Sequence, residues 1–199
     1  MNPSHSALPD SALDQLFRKA RSHNRFLDEA IDDDTLRALH DLMKWGPTAA
    51  NSCPLRIVFI RGPEAKEKLR PTLAPGNVDK MLSAPVTALL GRDLEFHEHL
   101  PKLFPHTDAK SWFEGNESLI ERSATLNAAL QGAYLIVAAR ALGLDCGPMS
   151  GFTPELADAA FFAGTKVRSF MLVTLGRGDP AKLFPRNPRF EFDEVCRIE

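Results

Sequence analysis

Five cationic side chains near the two ends of the chain are suited to binding a phosphate. Arg21, His23 and Arg25 lie in a short polar run, and Arg186 and Arg189 lie in a proline-rich tail. The planar guanidinium of arginine makes paired, charge-assisted hydrogen bonds to phosphate oxygens. Because surface arginines are common in all proteins, these residues indicate an anion site only if other segments support it.

Two further segments offer small or polar groups to a flat ligand. Residues 46–51 place small residues, a hydroxyl and an amide at the end of a predicted helix, where the backbone can approach a ligand closely. Asn77 and Lys80 are three residues apart, which puts an amide and an ammonium on the same side of a helical turn. Each segment alone is more often an ordinary turn or helix surface.

A histidine-rich stretch is the candidate metal site. His97, Glu98, His99, His106 and Asp108 are residue types that bind zinc or iron. Two histidines in a His-x-His pattern share a face only in a strand, however, and this region is predicted to be loop or helix. No established ligand spacing fits, so the sequence favours a solvated polar flap without a metal.

The candidate nucleophiles are weak. Cys146 lies in a predicted flexible turn, residues 143–148, where a thiol could be exposed, but no histidine stands nearby in sequence to act as a base. The sequence therefore favours Cys146 as a small packed residue. Ser150 misses the Gly-x-Ser-x-Gly spacing of a hydrolase nucleophile. Neither the dinucleotide-binding glycine pattern nor the P-loop pattern occurs, which argues against a Rossmann domain and a P-loop.

Helices that could position these residues follow from the spacing of apolar side chains. The first helix is predicted to begin at Ser11 as its N-cap, and the second to begin at Asp33 or Asp34 and to stop at residues 46–47. Two more helices are predicted at residues 64–69 and 119–142. The last of these is apolar on most faces in its second half, so it must lie in the core or in a subunit interface.

Strands and one unassigned segment complete the pattern. Residues 57–60 predict a buried strand, and residues 85–91 and 170–175 predict two more. Residues 92–115 hold histidines, prolines and aromatic residues without clear periodicity, which is typical of a flap, a lid or a disordered insert. With no internal repeat and no linker, the sequence predicts a single α+β domain spanning residues 1–199.

Composition limits the classes of function. The 199 residues are 44% hydrophobic and 25% charged with a net charge of −2, which predicts a globular domain and argues against nucleic-acid binding by bulk electrostatics. The three cysteines are too few and too scattered for a disulfide scaffold. The polar start, residues 1–10, lacks the order of a signal peptide, and no apolar run is long enough to cross a membrane. We therefore expect a soluble cytoplasmic protein.

Taken together and in this order, the segments resemble the FMN-dependent nitroreductase family. Residues 21–26 resemble the arginine-rich motif that follows the first helix of that family, and residues 47–51 resemble its Pro-Ser-x-x-Asn motif. Residues 77–80 match its Asn-x-x-Lys motif, and residues 186–189 resemble its closing basic motif. More narrowly, residues 147–152 and the neighbouring motifs at 43–48 and 111–113 resemble the malonic semialdehyde reductases of Rut-type pyrimidine breakdown.

This resemblance implies a fold and an assembly. The fold is a three-layer α+β sandwich with a central, mostly antiparallel sheet flanked by helices, and two chains form an intertwined homodimer that binds FMN at its interface. The residues implied in cofactor binding are Arg21, Ser22, His23, Arg25, Arg186 and Arg189 near the phosphate, Asn77 and Lys80 at the isoalloxazine edge, and Pro47, Thr48, Ala49, Asn51, Ser150 and Gly151. Residues 48–51 and the backbone at 150–151 are expected to come from the partner chain.

The resemblance also implies a reaction. NADPH or NADH donates a hydride, FMN carries it on N5 without a catalytic side chain, and an oxidised small molecule then accepts it in a ping-pong sequence. Malonic semialdehyde is the implied acceptor, and nitro compounds or quinones are the alternative; a non-enzymatic flavin-binding module is a second class of hypothesis. The flap at residues 92–115 is expected to roof the flavin, with Phe104, Trp112 and Phe113 lining the substrate pocket.

Overall fold

A four-stranded antiparallel sheet forms the centre of the molecule. The computed structural model describes residues 6–199, so the first five residues of the polar start discussed above lie outside it. The strands are β1 Leu55–Ile60, β2 Val86–Asp93, β3 Asp145–Met149 and β4 Val167–Gly176. Their order across the sheet is β1-β2-β4-β3, and every neighbouring pair is antiparallel.

Helices cover both faces of this sheet. The helices of residues 6–199 are α1 Asp10–Leu13, α2 Asp33–Met43, α3 Pro63–Leu69, α4 Pro75–Ser83, α5 Leu100–Leu103, α6 Glu117–Ala141, α7 Pro154–Phe161 and α8 Phe192–Val195, of which α8 lies exposed in the tail. Short 3₁₀ turns lie at Ala49–Asn51, Arg70–Thr72, Phe96–His99 and Pro180–Lys182, and a π turn, Asp14–Arg18, continues α1. Within residues 6–199, no helix is both long and apolar enough to span a bilayer.

Alternation along the central strands divides the core into two clusters. On β2, Ala88 and Leu90 join a cluster with α2 and α6, whereas Leu89 joins a cluster with α3, α4 and α7. We call the side covered by α6 the first face and the side covered by α4 the second face. Successive side chains of a strand point to opposite faces, so both faces of β2 are buried. The predicted α+β fold with helices on both sides of an antiparallel sheet is confirmed.

Both predicted N-caps are displaced. Asp32, one residue before the predicted position, caps α2, since its carboxylate accepts a hydrogen bond from the Thr35 N–H at 2.7 Å. Ser11 lies inside α1, whose N-cap is Pro9 without a side-chain hydrogen bond, so the prediction of Ser11 as cap is wrong. The ring of Pro9 fixes its own φ angle, and this restricted backbone marks the start of α1 in place of a side-chain cap.

The strand β3 is absent from the predicted elements. Its sequence contains Gly147 and Pro148, which weaken a strand pattern, and residues 143–148 were expected to form a flexible turn. β3 is held by pairing with β4, in the register Cys146 opposite Leu175. It lies at an end of the sheet order, where proline is tolerated because one side of the strand has no ladder partner.

The predicted strand at 57–60 is confirmed within β1, but its interior is only half-buried because β1 is the other edge of the sheet.

The flap at residues 92–115 is ordered by its own small core. β2 continues through Asp93, and a 3₁₀ turn and α5 follow it. Phe96, Leu100 and Phe113 are buried with Ala124 of α6 in a third cluster. The alternative of a disordered insert is therefore wrong; the segment shows no periodicity because its helical pieces of four residues are too short for it. No group of His, Cys, Asp or Glu suited to a metal is found among residues 6–199.

Candidate functional site

Helix α4 holds the predicted amide and ammonium against the end of β3. The Asn77 side-chain amide donates to the carbonyl of Gly151 at 2.8 Å, and the Lys80 ammonium donates to the carbonyl of Pro148 at 3.1 Å. A Cβ on Gly151 would lie 2.6 Å from the Asn77 amide nitrogen, so only glycine allows this approach. The prediction that Asn77 and Lys80 lie on the same side of a helical turn is confirmed.

Lys80 is a buried cation with no carboxylate partner. Its residue is 6% exposed, and no ion pair to it is found in the described part of the chain. Burial removes water from the ammonium and lowers the pKa of Lys80 to about 8. A buried charge costs free energy unless it is paired, so this position favours a ligand that brings negative charge or a strong acceptor.

The arginine run 21–25 lies alongside β3 and α4. Ser22 forms an isolated parallel bridge with Cys146, which fixes the run to the edge of β3. Arg25 makes a 2.8 Å ion pair with Asp79 of α4, and the guanidinium of Arg21 donates to the carbonyl of Phe184. The run thus brings two guanidinium groups to the end of the molecule that holds Asn77 and Lys80. Asp79 is a residue that the sequence interpretation missed, because an exposed acid on a helix gives no signal of its distant partner.

The two arginines of the tail differ in position. Arg186 donates to the carbonyl of Ala20 at 2.9 Å, which places it next to the 21–25 run. Arg189 instead bonds to the carbonyls of Asn187 and Pro188, its own neighbours in the tail. Within one chain, therefore, Arg186 joins the group of arginines and Arg189 does not.

His23 lies in the interior rather than on a surface. Its Nε2 is 3.4 Å from a carboxylate oxygen of Asp145, while its Nδ1 is buried with no hydrogen-bond partner in the described residues. The other carboxylate oxygen of Asp145 accepts from the N–H of Gly178 at 2.9 Å, and a Cβ at Gly178 would collide with the His23 ring. The backbone N–H of His23 donates to Cys146. His23 therefore anchors the arginine run to β3.

Two sequence expectations near β3 need correction. The backbone at Ser150 and Gly151 was expected from the partner chain, but Gly151 contacts Asn77 of the same chain. The turn that could expose Cys146 is instead the strand β3, where the residue is 1% exposed. Burial raises the pKa of the Cys146 thiol to about 12, so it stays protonated and is not a nucleophile.

A second group of candidate residues lies in the segment 48–55, which precedes and enters β1. The hydroxyl of Thr48 accepts from the N–H of Cys53 at 3.2 Å, and the Ala49 N–H is bonded to a side chain of α6. Asn51 donates to the carbonyl of Leu103 in the flap at 2.9 Å. The predicted residues Thr48, Ala49 and Asn51, with the exposed Pro47 before them, are thus presented together beside the flap.

The flap adds an aromatic pair next to this segment. The rings of Phe104 and Trp112 are 6.3 Å apart at 63°, and Trp112 is 52% exposed. Phe104 also packs edge-on against His106 at 5.2 Å. Phe113, the third residue expected in a substrate pocket, is turned into the flap core against Phe96. The flap therefore presents Phe104 and Trp112 as an open aromatic surface.

The two groups of candidate residues lie far apart within one chain. β1 and β3 are the two edges of the sheet, roughly 14 Å apart across the strands. Leu55 of β1 pairs with Arg92 of β2, which in turn pairs with Arg168 of β4. Gly147 of β3 pairs with Thr174 of β4. The levels of Leu55 and Gly147 are therefore also separated by the distance from residue 168 to residue 174 along β4, about 20 Å. The segment 48–55 is anchored on α6 at the first face, and Lys80 lies on the second face beside Thr174.

The comparisons with known proteins place this arrangement in a family. The model of the nitroreductase family matches residues 17–177, most of the chain. The chain belongs to the nitroreductase family. A protein of Burkholderia lata, named as a candidate NADH dehydrogenase/NAD(P)H nitroreductase, is 61% identical over 194 residues, which cover 98% of this chain and 100% of that protein.

Solved structures confirm the nitroreductase-like fold. A candidate nitroreductase, ydfN of Bacillus subtilis, has a TM-score of 0.87 at 22% identity, with 96% of this chain and 100% of that chain covered. A candidate nitroreductase of Exiguobacterium sibiricum, solved in complex with FMN, has a TM-score of 0.83 at 17% identity, with 98% and 99% covered. These similarities concern the fold, and the chemistry of this chain must be argued from its own residues.

Proposed function

We propose that this chain is an FMN-dependent oxidoreductase that uses NADH or NADPH to reduce a small oxidised molecule. The observation that carries the proposal is the buried, unpaired ammonium of Lys80 beside the amide of Asn77. A flavin edge offers carbonyl and ring-nitrogen acceptors to such a pair, and its reduced form brings negative charge. The FMN-bound relative of Exiguobacterium and the NAD(P)H nitroreductase name of the Burkholderia relative support the same cofactors.

The residues present fit FMN in two parts. Arg21, Arg25 and Arg186 gather at one end of the α4–β3 region and suit the phosphate dianion. Asn77 and Lys80 suit the edge of the ring system, and the missing Cβ atoms of Gly151 and Gly147 leave room for Asn77 and Lys80, respectively. When bound, FMN supplies the hydride chemistry, and the protein supplies orientation and a fixed positive charge. No side-chain acid or base is assigned.

A complete site requires two chains. Thr48, Ala49 and Asn51 lie at the corner of the sheet opposite to Lys80, farther away than one flavin ring system reaches. We infer that one chain contributes the α4–β3 residues to each site and a second copy contributes its segment 48–55 and flap. Among residues 6–199, the hydrogen bonds of Arg189 lie within its own tail, so in this arrangement its side chain can reach the phosphate of the neighbouring site.

The surface of α6 supports a homodimer. Leu126, Leu130 and Tyr134 recur every four residues on this helix and are all substantially exposed, with the exposed Trp45 nearby across Gly46. A stripe of this kind is self-complementary across a two-fold axis and is costly to leave in water.

The C-terminal tail supports an intertwined form of that dimer. Phe184, Phe190 and Phe192 in the tail are exposed. A cleft of about 810 Å³ lies open between α2 and the edge strand β1. Because an edge strand needs cover, the tail of the second copy is the proposed occupant of this cleft.

Leu130→Asp is expected to convert the dimer into monomers and to remove bound FMN, since a carboxylate at the centre of the α6 stripe cannot be desolvated without a partner. Light scattering coupled to size-exclusion chromatography should report a mass that falls from twice the chain mass to 22.0 kDa. Leu156→Asp, at an exposed leucine of α7, is the matched control and should leave the dimer intact. A wild-type monomer that retains FMN would contradict the two-chain site.

Two acceptors are proposed, each on its own observation. Malonic semialdehyde follows from the motifs at residues 147–152 and 111–113. Nitroaromatic compounds or quinones are supported by the pair of the half-buried Phe104 and the exposed Trp112, which suits stacking on a flat ring, and by the nitroreductase name of the Burkholderia relative. The cytoplasmic location stays a prediction.

The decisive experiment combines a spectrum with an acceptor screen. Purified protein is expected to be yellow or to bind added FMN, and to oxidise NADH or NADPH in the presence of an acceptor. Comparing malonic semialdehyde with nitrofurazone and a quinone identifies the substrate class. A colourless protein that does not bind FMN would refute the proposal, and a yellow protein that oxidises neither nucleotide with any acceptor would indicate a flavin-binding module instead.

A further inference from the structure

We propose that Asn127 and Gln131 of α6 are positioning residues that clamp the segment 48–55 in the shape required to present Thr48, Ala49 and Asn51. The side-chain oxygen of Asn127 accepts from the N–H of Ala49 at 2.8 Å. The side-chain oxygen of Gln131 accepts from the N–H of Leu55 at 2.9 Å. The consequence for FMN rests on the function proposed above, whereas the clamp itself is a property of the chain.

The two amides are one helical turn apart and are buried. Asn127 is 2% exposed and Gln131 is 6% exposed, on a helix whose other buried residues are almost all apolar. Buried amides are costly unless their hydrogen bonds are made. Asn127 makes bonds through both ends of its amide, since its nitrogen also donates to the carbonyl of Ser123 at 2.8 Å. The two side-chain oxygens lie on the same side of α6, one turn apart, and can therefore accept hydrogen bonds from two N–H groups of one neighbouring segment.

The clamp compresses the segment into a loop. Residues 127 and 131 are about 6 Å apart along α6, whereas the six residue-to-residue steps from Ala49 to Leu55 would span roughly 20 Å if extended. The backbone between the two clamped N–H groups must therefore fold back on itself. The bond from Cys53 N–H to the Thr48 hydroxyl closes this loop internally.

The loop holds backbone conformations that would not persist without restraint. Ala50, Asn51 and Cys53 have φ values of 50°, 48° and 41°, the left-handed region that residues other than glycine rarely adopt. Strained backbone of this kind persists only where surrounding contacts fix it and is concentrated at ligand sites. The clamp supplies two of these contacts, and Asn51 extends the restraint to Leu103 of the flap.

The test uses Asn127→Leu and Gln131→Leu, which keep the side-chain size and remove the acceptor. In the flavin-free protein, amide hydrogen exchange should accelerate by at least about tenfold in peptides covering residues 48–55 and remain unchanged in α4. FMN titration should show a dissociation constant at least about tenfold higher for both variants. Asn127→Asp retains an acceptor oxygen and should restore slow exchange, a result that a general packing role for Asn127 does not require.

Leu69→Ala is the control for general loss of stability, since Leu69 is fully buried in the core of the second face. It should lower the melting temperature and leave exchange in residues 48–55 and FMN affinity unchanged. Unchanged exchange in both leucine variants would overturn the clamp. Faster exchange with unchanged FMN affinity would overturn its role in the site. If the wild-type protein binds no FMN, the proposed function fails, and the exchange measurement still decides on the clamp.

Discussion

Gly147→Ala is expected to destabilise the protein by about 3 kcal/mol and to abolish FMN binding. A Cβ at this position of β3 would collide with the carbonyl of His23, the Lys80 side chain and the Thr174 hydroxyl. Moving Lys80 alone would not relieve the collision with the His23 backbone, so both Lys80 and the run 21–25 must shift, and both frame the site. Urea denaturation measures the loss of stability, and fluorescence titration with FMN measures the loss of affinity.

Gly76→Ala is the matched control for this substitution. Gly76 lies in α4 with a negative φ, and a Cβ there would meet no atom within 4 Å. Alanine is favoured over glycine in a helix by up to about 1 kcal/mol, so this variant should be as stable as the wild type or more stable. Equal stability of Gly147→Ala and the wild-type protein would show that β3 yields to the extra methyl group.

Lys80→Met is expected to stabilise the flavin-free protein at pH 7 while weakening FMN binding. Lowering the pKa of Lys80 from 10.5 to about 8 corresponds to a penalty on the order of 3 kcal/mol for keeping the ammonium charged at neutral pH. The variant avoids this penalty but loses the hydrogen bond to the Pro148 carbonyl, which contributes about 1 kcal/mol. The free energy of unfolding of the variant is therefore expected to be about 2 kcal/mol higher than that of the wild type. A group that only supported the fold would lose stability when replaced.

The pH dependence of this difference gives a second check. Between about pH 8 and 10.5 the unfolded chain keeps the Lys80 proton that the folded chain has lost, so wild-type stability rises with pH relative to the variant. The advantage of Lys80→Met should therefore be full below pH 8 and give way above 10.5 to a disadvantage of about 1 kcal/mol, the hydrogen bond to Pro148 that methionine lacks. Urea denaturation at several pH values measures it, with Lys102→Met at an exposed lysine as control. A stability difference independent of pH would contradict the burial argument.

Local patterns in the sequence predict the strands β1, β2 and β4 but not the edge strand β3. The runs at 85–91 and 170–175 correspond to the central strands β2 and β4. Their continuous apolar residues indicate buried strands even when the neighbouring strand is unknown. β3 contains glycine and proline and becomes a strand only by pairing with β4. The flap is ordered by contact between Phe96, Phe113 and Ala124, which no local pattern reveals.

For the candidate site, the sequence indicates which side chains could bind a ligand more readily than it indicates which residues surround them. Asn77 and Lys80 share a helical turn, so their spacing alone predicts that they act together. The interior position of His23 depends on Gly178, which is distant in sequence and leaves the space for its ring. Asn127 and Gln131 could have been found as two amides four residues apart in an apolar helix, but nothing local indicates which backbone they hold.

The separate core of the flap has a consequence for how this enzyme can diversify. Phe96, Leu100 and Phe113 pack on one another and on α6, and they contribute to neither cluster that stabilises the sheet. Insertions, deletions or new aromatic residues in this stretch can therefore accumulate at little cost to the stability of the sheet. If the flap lines the acceptor pocket as proposed, it can adapt to new compounds through changes away from Leu103, whose carbonyl accepts a hydrogen bond from Asn51 of the proposed cofactor segment.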